Sequence, residues 1–368
     1  MKQEEFRNEP FTDFSREENA RAMREALAKV AGELGREYPL VIGGERVETG
    51  DILESVNPAK KTEVVGRFHK ATRELAASAV ERANEAFRSW RNTLPQQRAD
   101  LLFRVASLLR ERKHYFSAWM IHEVAKSWPE ADGDTAEAID FCEFYAREML
   151  RYAGTQPLVP LEGEDNRLTY IPLGVGVVIP PWNFPLAIMA GMTVASVVTG
   201  NTVVLKPSSD APTIAYKFFE LLEEAGLPPG VVNFITNAPA DAAAVVEAMI
   251  AHPAVRRVNF TGSTAVGKII AGHCARYLKP AVLELGGKAP LIVLDDADLD
   301  AAVSAAAFGA FANSGQICMS TERIIVDASI ADEFVAKLAK KASSLPLGDP
   351  REGPVVLGSV VDMNAVHR

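Results

Sequence analysis

Gly174-Val-Gly-Val-Val-Ile-Pro-Pro-Trp-Asn-Phe-Pro-Leu186 opens the stretch whose reading decides the fold. Residues 174–179 are a short apolar strand. It is ended by prolines, which fix φ and remove amide donors. Residues 186–199 read as a helix, and 201–205 as a second strand after a Gly-Asn turn. The alternation continues with helices at 212–225, 240–251 and 264–277 and strands at 231–236, 255–260 and 281–285. Strands alternating with helices imply βαβ units and a parallel sheet. Short apolar strands fit burial on both faces. Ligands of such a sheet sit outside the carboxyl ends of its strands, so the loops that follow those ends are where function is expected.

Outward from this core, residues 1–153 read as mainly helical, with apolar residues at helical spacing over 76–90 and 97–113. Leu40-Val-Ile-Gly-Gly-Glu-Arg-Val47 carries a hairpin signal, Gly-Gly between β-branched runs. After Gly287 a new unit begins, with strands at 290–294 and 322–326 and helices at 299–313 and 330–345. Residues 168–205 contain no Asp, Glu, Lys or Arg. A membrane-spanning helix needs about 20 predominantly apolar residues, and Pro172, Pro180, Pro181 and Pro185 break this run. A buried core helix is expected instead, and no membrane partner.

The net charge of −9 over 368 residues gives no electrostatic footprint for nucleic acid or an anionic membrane. The three cysteines, Cys142, Cys274 and Cys318, show no C-x-x-C spacing, and no Cys/His cluster has metal-ligand spacing. A reduced, cytoplasmic setting is expected. The acidic, polar N-terminus is unlike a secretory or transit peptide.

Five motifs fall at the expected places. Pro180-Pro-Trp-Asn-Phe-Pro185 makes a stiff loop after the first strand. Asn183 there either offers its side-chain N–H to a developing oxyanion or caps the following helix. Lys206-Pro-Ser-Ser-Asp210 follows the second strand. Lys206 either meets a ribose or phosphate or is a solvated lysine; Ser208 and Ser209 add small polar groups at the same edge. Phe260-Thr-Gly-Ser-Thr-Ala-Val-Gly267 enters a helix. Its small residues let phosphate oxygens approach free N–H groups, and Ser263 is equally an ordinary N-cap with Gly262 in the turn. Glu284, in Leu283-Glu-Leu-Gly-Gly-Lys-Ala-Pro290, is a carboxylate on an apolar strand. Burial would raise its pKa toward that of a general base, unless a structural ion pair holds it. Cys318 sits in Asn313-Ser-Gly-Gln-Ile-Cys-Met-Ser-Thr321, beside a Gly/Ser-rich bend and after a helix, where a thiolate can act as a nucleophile. Cys142 and Cys274 read as inert core residues.

Taken in order, Pro-Trp-Asn-Phe-Pro, Lys-Pro-Ser, Phe-Thr-Gly-Ser, Glu-Leu-Gly-Gly-Lys and Gly-Gln-x-Cys closely resemble the NAD(P)-dependent aldehyde dehydrogenase superfamily, from about residue 38 onward. The resemblance implies an α/β fold whose doubly wound, Rossmann-like sheet binds a dinucleotide. Residues 1–153 would be its N-terminal helical part, 154–172 an oligomerisation hairpin bridging subunits, 173–286 the dinucleotide-binding core and 287–368 part of an α/β catalytic domain. It further implies Cys318 as nucleophile, Glu284 as general base, and Asn183 with the Cys318 backbone N–H as oxyanion hole. Lys206 would hold the adenosine ribose, and Ile179, Pro181, Trp182, Ser208 and Ser209 would line the cofactor crevice. Gly262, Ser263 and Gly267 would face the pyrophosphate. Cys318 would add to an aldehyde, hydride would pass to the nicotinamide of NAD, and Glu284 would activate the water that releases the acid. Where NAD-preferring members often carry a glutamate, this chain has Ser209; losing that carboxylate removes repulsion against a 2′-phosphate and admits NADP.

The N-terminal extension and the segment to about residue 235 resemble 1-pyrroline-5-carboxylate dehydrogenases, which oxidise glutamate γ-semialdehyde. From about Asn237, including Arg256-Arg-Val-Asn-Phe-Thr-Gly-Ser263 and Gly315-Gln-Ile-Cys-Met-Ser-Thr-Glu-Arg323, the chain looks more like salicylaldehyde, vanillin and benzaldehyde dehydrogenases. The expectation is that two subfamilies meet near residues 231–239. Members of the superfamily continue beyond this length, and their Glu-x-Phe-Gly-Pro-type segment is not found here. Weak or absent turnover is therefore expected of this chain alone. A small-molecule aldehyde and, for a full-length enzyme, a homo-oligomer are the partners implied. The rival reading from another class is a non-catalytic nucleotide-binding fragment.

Overall fold

The computed structural model describes residues 5–367; residues 1–4 of the acidic N-terminus and residue 368 lie outside the described residues. The elements in chain order are α1 (Glu17–Ala31), β1 (Arg36–Tyr38), β2 (Leu40–Ile42), β3 (Glu45–Val47), β4 (Ile52–Asn57), β5 (Lys60–His69), α2 (Arg73–Trp90), α3 (Pro95–Glu111), α4 (Lys113–Val124) and α5 (Trp128–Ala153). Then follow β6 (Val175–Ile179), α6 (Ala187–Val198), β7 (Thr202–Leu205), α7 (Pro212–Glu224), β8 (Val232–Phe234), α8 (Ala242–Ala251), β9 (Val255–Gly262), α9 (Thr264–Arg276) and β10 (Ala281–Leu285). The last unit holds β11 (Pro290–Val293), α10 (Leu299–Phe311), β12 (Arg323–Val326), α11 (Ala331–Ser343) and the short α12 (Met363–Val366).

One seven-stranded sheet runs β10-β9-β6-β7-β8-β2-β3, parallel from β10 to β8. Side chains alternate across it, as the strand period demands. Val175, Val177 and Ile179 join one core with α2, α8 and α9 residues such as Val80, Met249 and Ile270. Val178, Val203 and Leu205 join the other, with α3 to α7. Every residue of β6 and β7 is buried. Each buried Val, Leu or Ile contributes about 1.5–3 kcal/mol relative to exposure, so the middle of the sheet is held hard from both sides.

The alternation expected between residues 174 and 285 is present throughout, with ends shifted by a few residues. Residues 1–153 are mainly helical as expected; beyond the expected hairpin they also carry β1, β4 and β5, and β1-β5-β4 form a separate three-stranded sheet. β4 and β5 are partly exposed and polar, with a register irregularity at Ser55–Asn57, so they lack the clean apolar run of the central strands. The hairpin at 40–47 is β2–β3, joined to the main sheet where Val41 pairs with Phe234. Residues 154–172 form no strand here; Val159 and Ile171 stand 81% and 70% exposed. The unit after Gly287 has its own small core of Val293, Val303, Ala306 and Phe334. No helix among the described residues is long and apolar enough to cross a membrane.

Candidate active site

Strand register gathers the motif residues on one edge. Val178 pairs with Leu205 and with Asn259, Ile179 with Phe260, and Glu284 and Leu285 with Thr261 and Gly262. The carboxyl ends of β10, β9, β6 and β7 therefore lie side by side, and strand order reverses between β6 and β9. That reversal is where an open α/β sheet leaves a crevice.

Around the crevice, Ile179 is buried, and Pro181, Trp182, Ser208 and Ser209 are half-buried. Lys206 is not a solvated lysine. It is buried, and its only hydrogen-bond acceptor among the described residues is the Pro207 carbonyl at 3.0 Å. Burial pushes its ammonium down to about 8, against the pull of Asp210. Ser263 caps α9 by accepting from the Val266 N–H at 3.3 Å, and Gly262 precedes it at the end of β9. Gly267 requires a correction. It is buried, and a Cβ there would lie 2.6 Å from a Leu285 methyl, so its smallness serves the seating of α9 on β10, not a pyrophosphate. The remaining residues fit a dinucleotide. Lys206 has donor hydrogens to spare at the end of β7, and the exposed N-terminus of α9 offers backbone N–H groups to phosphate oxygens.

Cys318 is exposed, whereas Cys142 and Cys274 are buried. It stands in a tight turn closed by the Ser320 N–H donating to the Ile317 carbonyl at 3.1 Å. Ahead of it, Asn313, Ser314 and Gly315 are left-handed in succession, with φ of 49°, 57° and 73°. Left-handed non-glycine backbone costs on the order of 1–3 kcal/mol per residue and persists only where surroundings over-determine it. Here Gln316 does so. Its side chain donates to the Asn313 carbonyl at 3.1 Å and accepts from the Val361 N–H at 2.9 Å. Its backbone carbonyl accepts from Asn183 Nδ2 at 2.9 Å.

Asn183 does not cap α6, which begins at Ala187 without a side-chain cap of its own. The Ala187 N–H donates instead to Asp134 on α5, at 2.6 Å. Asp134 is ion-paired with Lys126 at 3.1 Å, both side chains being essentially inaccessible. Lys126 also lies over the Phe184 ring, 3.9 Å from its centroid. Burial pushes the Asp134 carboxyl up, and Lys126 with the backbone N–H groups of α6 pulls it back. The loop carrying Asn183 is thus clamped from below by a buried charge pair.

Glu284 corrects a second expectation. β10 is the edge of the sheet, its side chains alternate half-buried and exposed, and Glu284 is on the exposed face. The burial expected of Glu284 is absent. Three residues on, Gly287 passes close enough that a Cβ would lie 3.6 Å from the Cys318 carbonyl oxygen. The Glu322 N–H donates to the Ala289 carbonyl at 3.3 Å, and Lys288 pairs with Glu322. The exit of β10 and the turn of Cys318 are therefore neighbours. The Lys126–Asp134 pair and the side chain of Gln316 escaped sequence reasoning. Charged residues inside the helical run 128–153 were the one visible sign of the former, and the latter had none.

The chain matches the aldehyde dehydrogenase family over residues 46–368. It is 51% identical to the 1-pyrroline-5-carboxylate dehydrogenase of Geobacillus kaustophilus, over 99% of this chain and 71% of that enzyme. That match lies on both sides of residues 231–239. The structure of a 1-pyrroline-5-carboxylate dehydrogenase from Thermus with bound NAD is 44% identical, with a TM-score of 0.94, over 99% of this chain and 71% of that one. A salicylaldehyde dehydrogenase from Pseudomonas putida, solved with salicylaldehyde, is 36% identical with a TM-score of 0.86, over 91% of this chain and 69% of that one. With its sheet edge, the exposed Cys318 turn and these matches taken together, the chain belongs to the aldehyde dehydrogenase family.

Proposed function

We propose that this chain oxidises L-glutamate γ-semialdehyde, the open form of 1-pyrroline-5-carboxylate, to glutamate through a covalent bond to Cys318. The observation that carries this reading is the Asn183–Gln316 hydrogen bond of 2.9 Å, which ties a side-chain donor at the end of β6 to the turn of the one exposed cysteine. The Cys318 thiolate adds to the carbonyl carbon, and the C=O electron pair moves onto oxygen. One Asn183 N–H is engaged by Gln316; the other is left to meet that oxygen as charge develops. Lys206 and the N-terminus of α9 would hold NAD, whose nicotinamide would accept the hydride that leaves the adduct carbon as the oxygen's electron pair re-forms C=O, leaving a thioester on Cys318. Glu284 then takes a proton from water, which attacks the Cys318 thioester; the C–S bond breaks, and acid and thiolate part. The exposure of Glu284 supports this role, because water reaches it directly. Ser209, in place of a carboxylate, supports tolerance of NADP beside NAD.

Residues 1–153, 173–286 and 287–368 serve in this reading as helical flank, dinucleotide-binding core and catalytic unit. The exposed Val159, Tyr170 and Ile171 of residues 154–172 support assembly into a homo-oligomer. The sparse cysteines support a cytoplasmic setting. A second reading, oxidation of an aromatic aldehyde, is favoured by the likeness to the salicylaldehyde dehydrogenase.

NADH absorbance tests these readings. In single-turnover mixtures with NAD, 1-pyrroline-5-carboxylate is expected to give NADH faster than benzaldehyde, and Cys318→Ala to abolish both. Faster reaction with benzaldehyde installs the second reading; NADH formation that survives Cys318→Ala removes the nucleophile.

A further inference from the structure

Residues 346–362 cross from the catalytic unit back to the N-terminal part of the molecule. Trp128 Nε1 donates to the Pro350 carbonyl at 2.7 Å, and Arg351 pairs with Glu63 at 2.7 Å. Near its far end this strap meets the nucleophile turn twice. Ser314 Oγ donates to the Gly358 carbonyl at 3.3 Å, and the Val361 N–H donates to Gln316 Oε1 at 2.9 Å. Gln316 is half-buried and touches no reacting atom in the reading above. Yet its amide and its backbone carbonyl join three separate pieces of chain: the strap, the left-handed run at Asn313, and Asn183.

We infer that Gln316 is a positioning residue: held by the strap through Val361, it places its backbone carbonyl so that the Asn183 amide is aimed at the oxyanion of the Cys318 adduct. The inference rests on the reading of Cys318 and Asn183 given above and adds a device to it. A carboxamide swings freely about its last torsion unless both ends are engaged. Among the described residues the Asn183 side-chain oxygen accepts only from the adjacent Phe184 N–H, at 3.1 Å, so the Gln316 carbonyl is the contact from outside its own loop that sets the Nδ2 end. Releasing Gln316 leaves the thiol where it is and loses the direction of the donor.

Two reactions of the same sulfur separate these effects. Alkylation of Cys318 by iodoacetamide develops no oxyanion; addition to an aldehyde does. In Gln316→Leu, the full chain is expected to be alkylated within about 3-fold of the parent rate. The aldehyde-dependent burst of NADH should fall about 100-fold, the scale for losing one oxyanion donor. Asn183→Ala should show the same split, and the double variant should be little slower than either single one, because both remove one donor. Val361→Pro deletes the strap's N–H without touching the turn and covers the case in which Gln316→Leu does not fold; about a 10-fold loss of burst with alkylation unchanged is expected. The inference is overturned if Gln316→Leu slows alkylation and burst equally, or if its effect multiplies with that of Asn183→Ala. If Asn183→Ala leaves the burst intact, the oxyanion reading itself has failed, which is a different outcome.

Discussion

β6 and β7 are buried at every residue, while β11 and β12 alternate exposed and half-buried positions, with only Val293 fully inside. The two pairs of parallel strands serve the two halves of one site. The first pair carries Asn183 and Lys206 at its carboxyl ends, within cores that close both faces of the sheet. The second is the scaffold behind Cys318, with a core of four buried residues. The difference teaches that the strand ends carrying Asn183 and Lys206 are held by packing, whereas the Cys318 turn, and through Gln316 the direction of the Asn183 amide, is held by hydrogen bonds to a strap. Mutations should therefore act through stability in the first half and through geometry in the second.

The strongest way to break this contrast is Asp134→Ala. It leaves Lys126 buried and unpaired beneath Phe184, which should cost about 3–5 kcal/mol, read as a lowered urea midpoint. A loss under about 1 kcal/mol would show that the clamp is not rigid. Next, Leu205→Ala on β7, wholly buried, should cost about 2–5 kcal/mol. Its counterpart Ile292→Ala on β11, 62% exposed, should stay within about 0.5 kcal/mol. Equal losses would erase the distinction between the two halves.

Lys206→Met sharpens the comparison with pH. Burial lowers the Lys206 pKa from 10.5 to about 8, so the unfolded chain binds the proton more tightly. The penalty is complete below pH 8, shrinks as pH rises from 8 to 10.5, and is gone above that. The variant should be stabilised by up to about 3 kcal/mol at neutral pH, with the gain fading across that interval, and it should bind NAD more weakly. Thermal unfolding at several pH values and a titration with NAD check both halves of this expectation. A gain that grows with pH would reverse the assignment.

The central alternation was legible because strands buried on both faces must be nearly continuous apolar runs, and residues 175–179 and 202–205 are such runs. β4 and β5 were not, because partly exposed strands carry Lys60, Lys61 and Glu63 and a register shift that hides their period. Glu284 was found but misjudged: whether a strand is central or at the edge is decided by the order β10-β9-β6, which no local pattern encodes. Gly267 was found for the wrong reason, since a glycine that admits phosphate and one that admits a Leu285 side chain look alike in sequence. Gln316 and the Lys126–Asp134 pair depend on contacts with Val361, Asn183 and Ala187, all remote along the chain.

The claim beneath all of this is that the sulfur of Cys318 carries the acyl group before water arrives. Glu284→Gln keeps the shape of the carboxylate while removing the base that activates water, so the thioester should accumulate. Mixed with NAD and 1-pyrroline-5-carboxylate and examined by mass spectrometry after proteolysis, the variant is expected to carry the glutamyl acyl mass on the peptide containing Cys318, and on no other. An unmodified Cys318 peptide alongside formed NADH, or the added mass on another residue, would contradict the account.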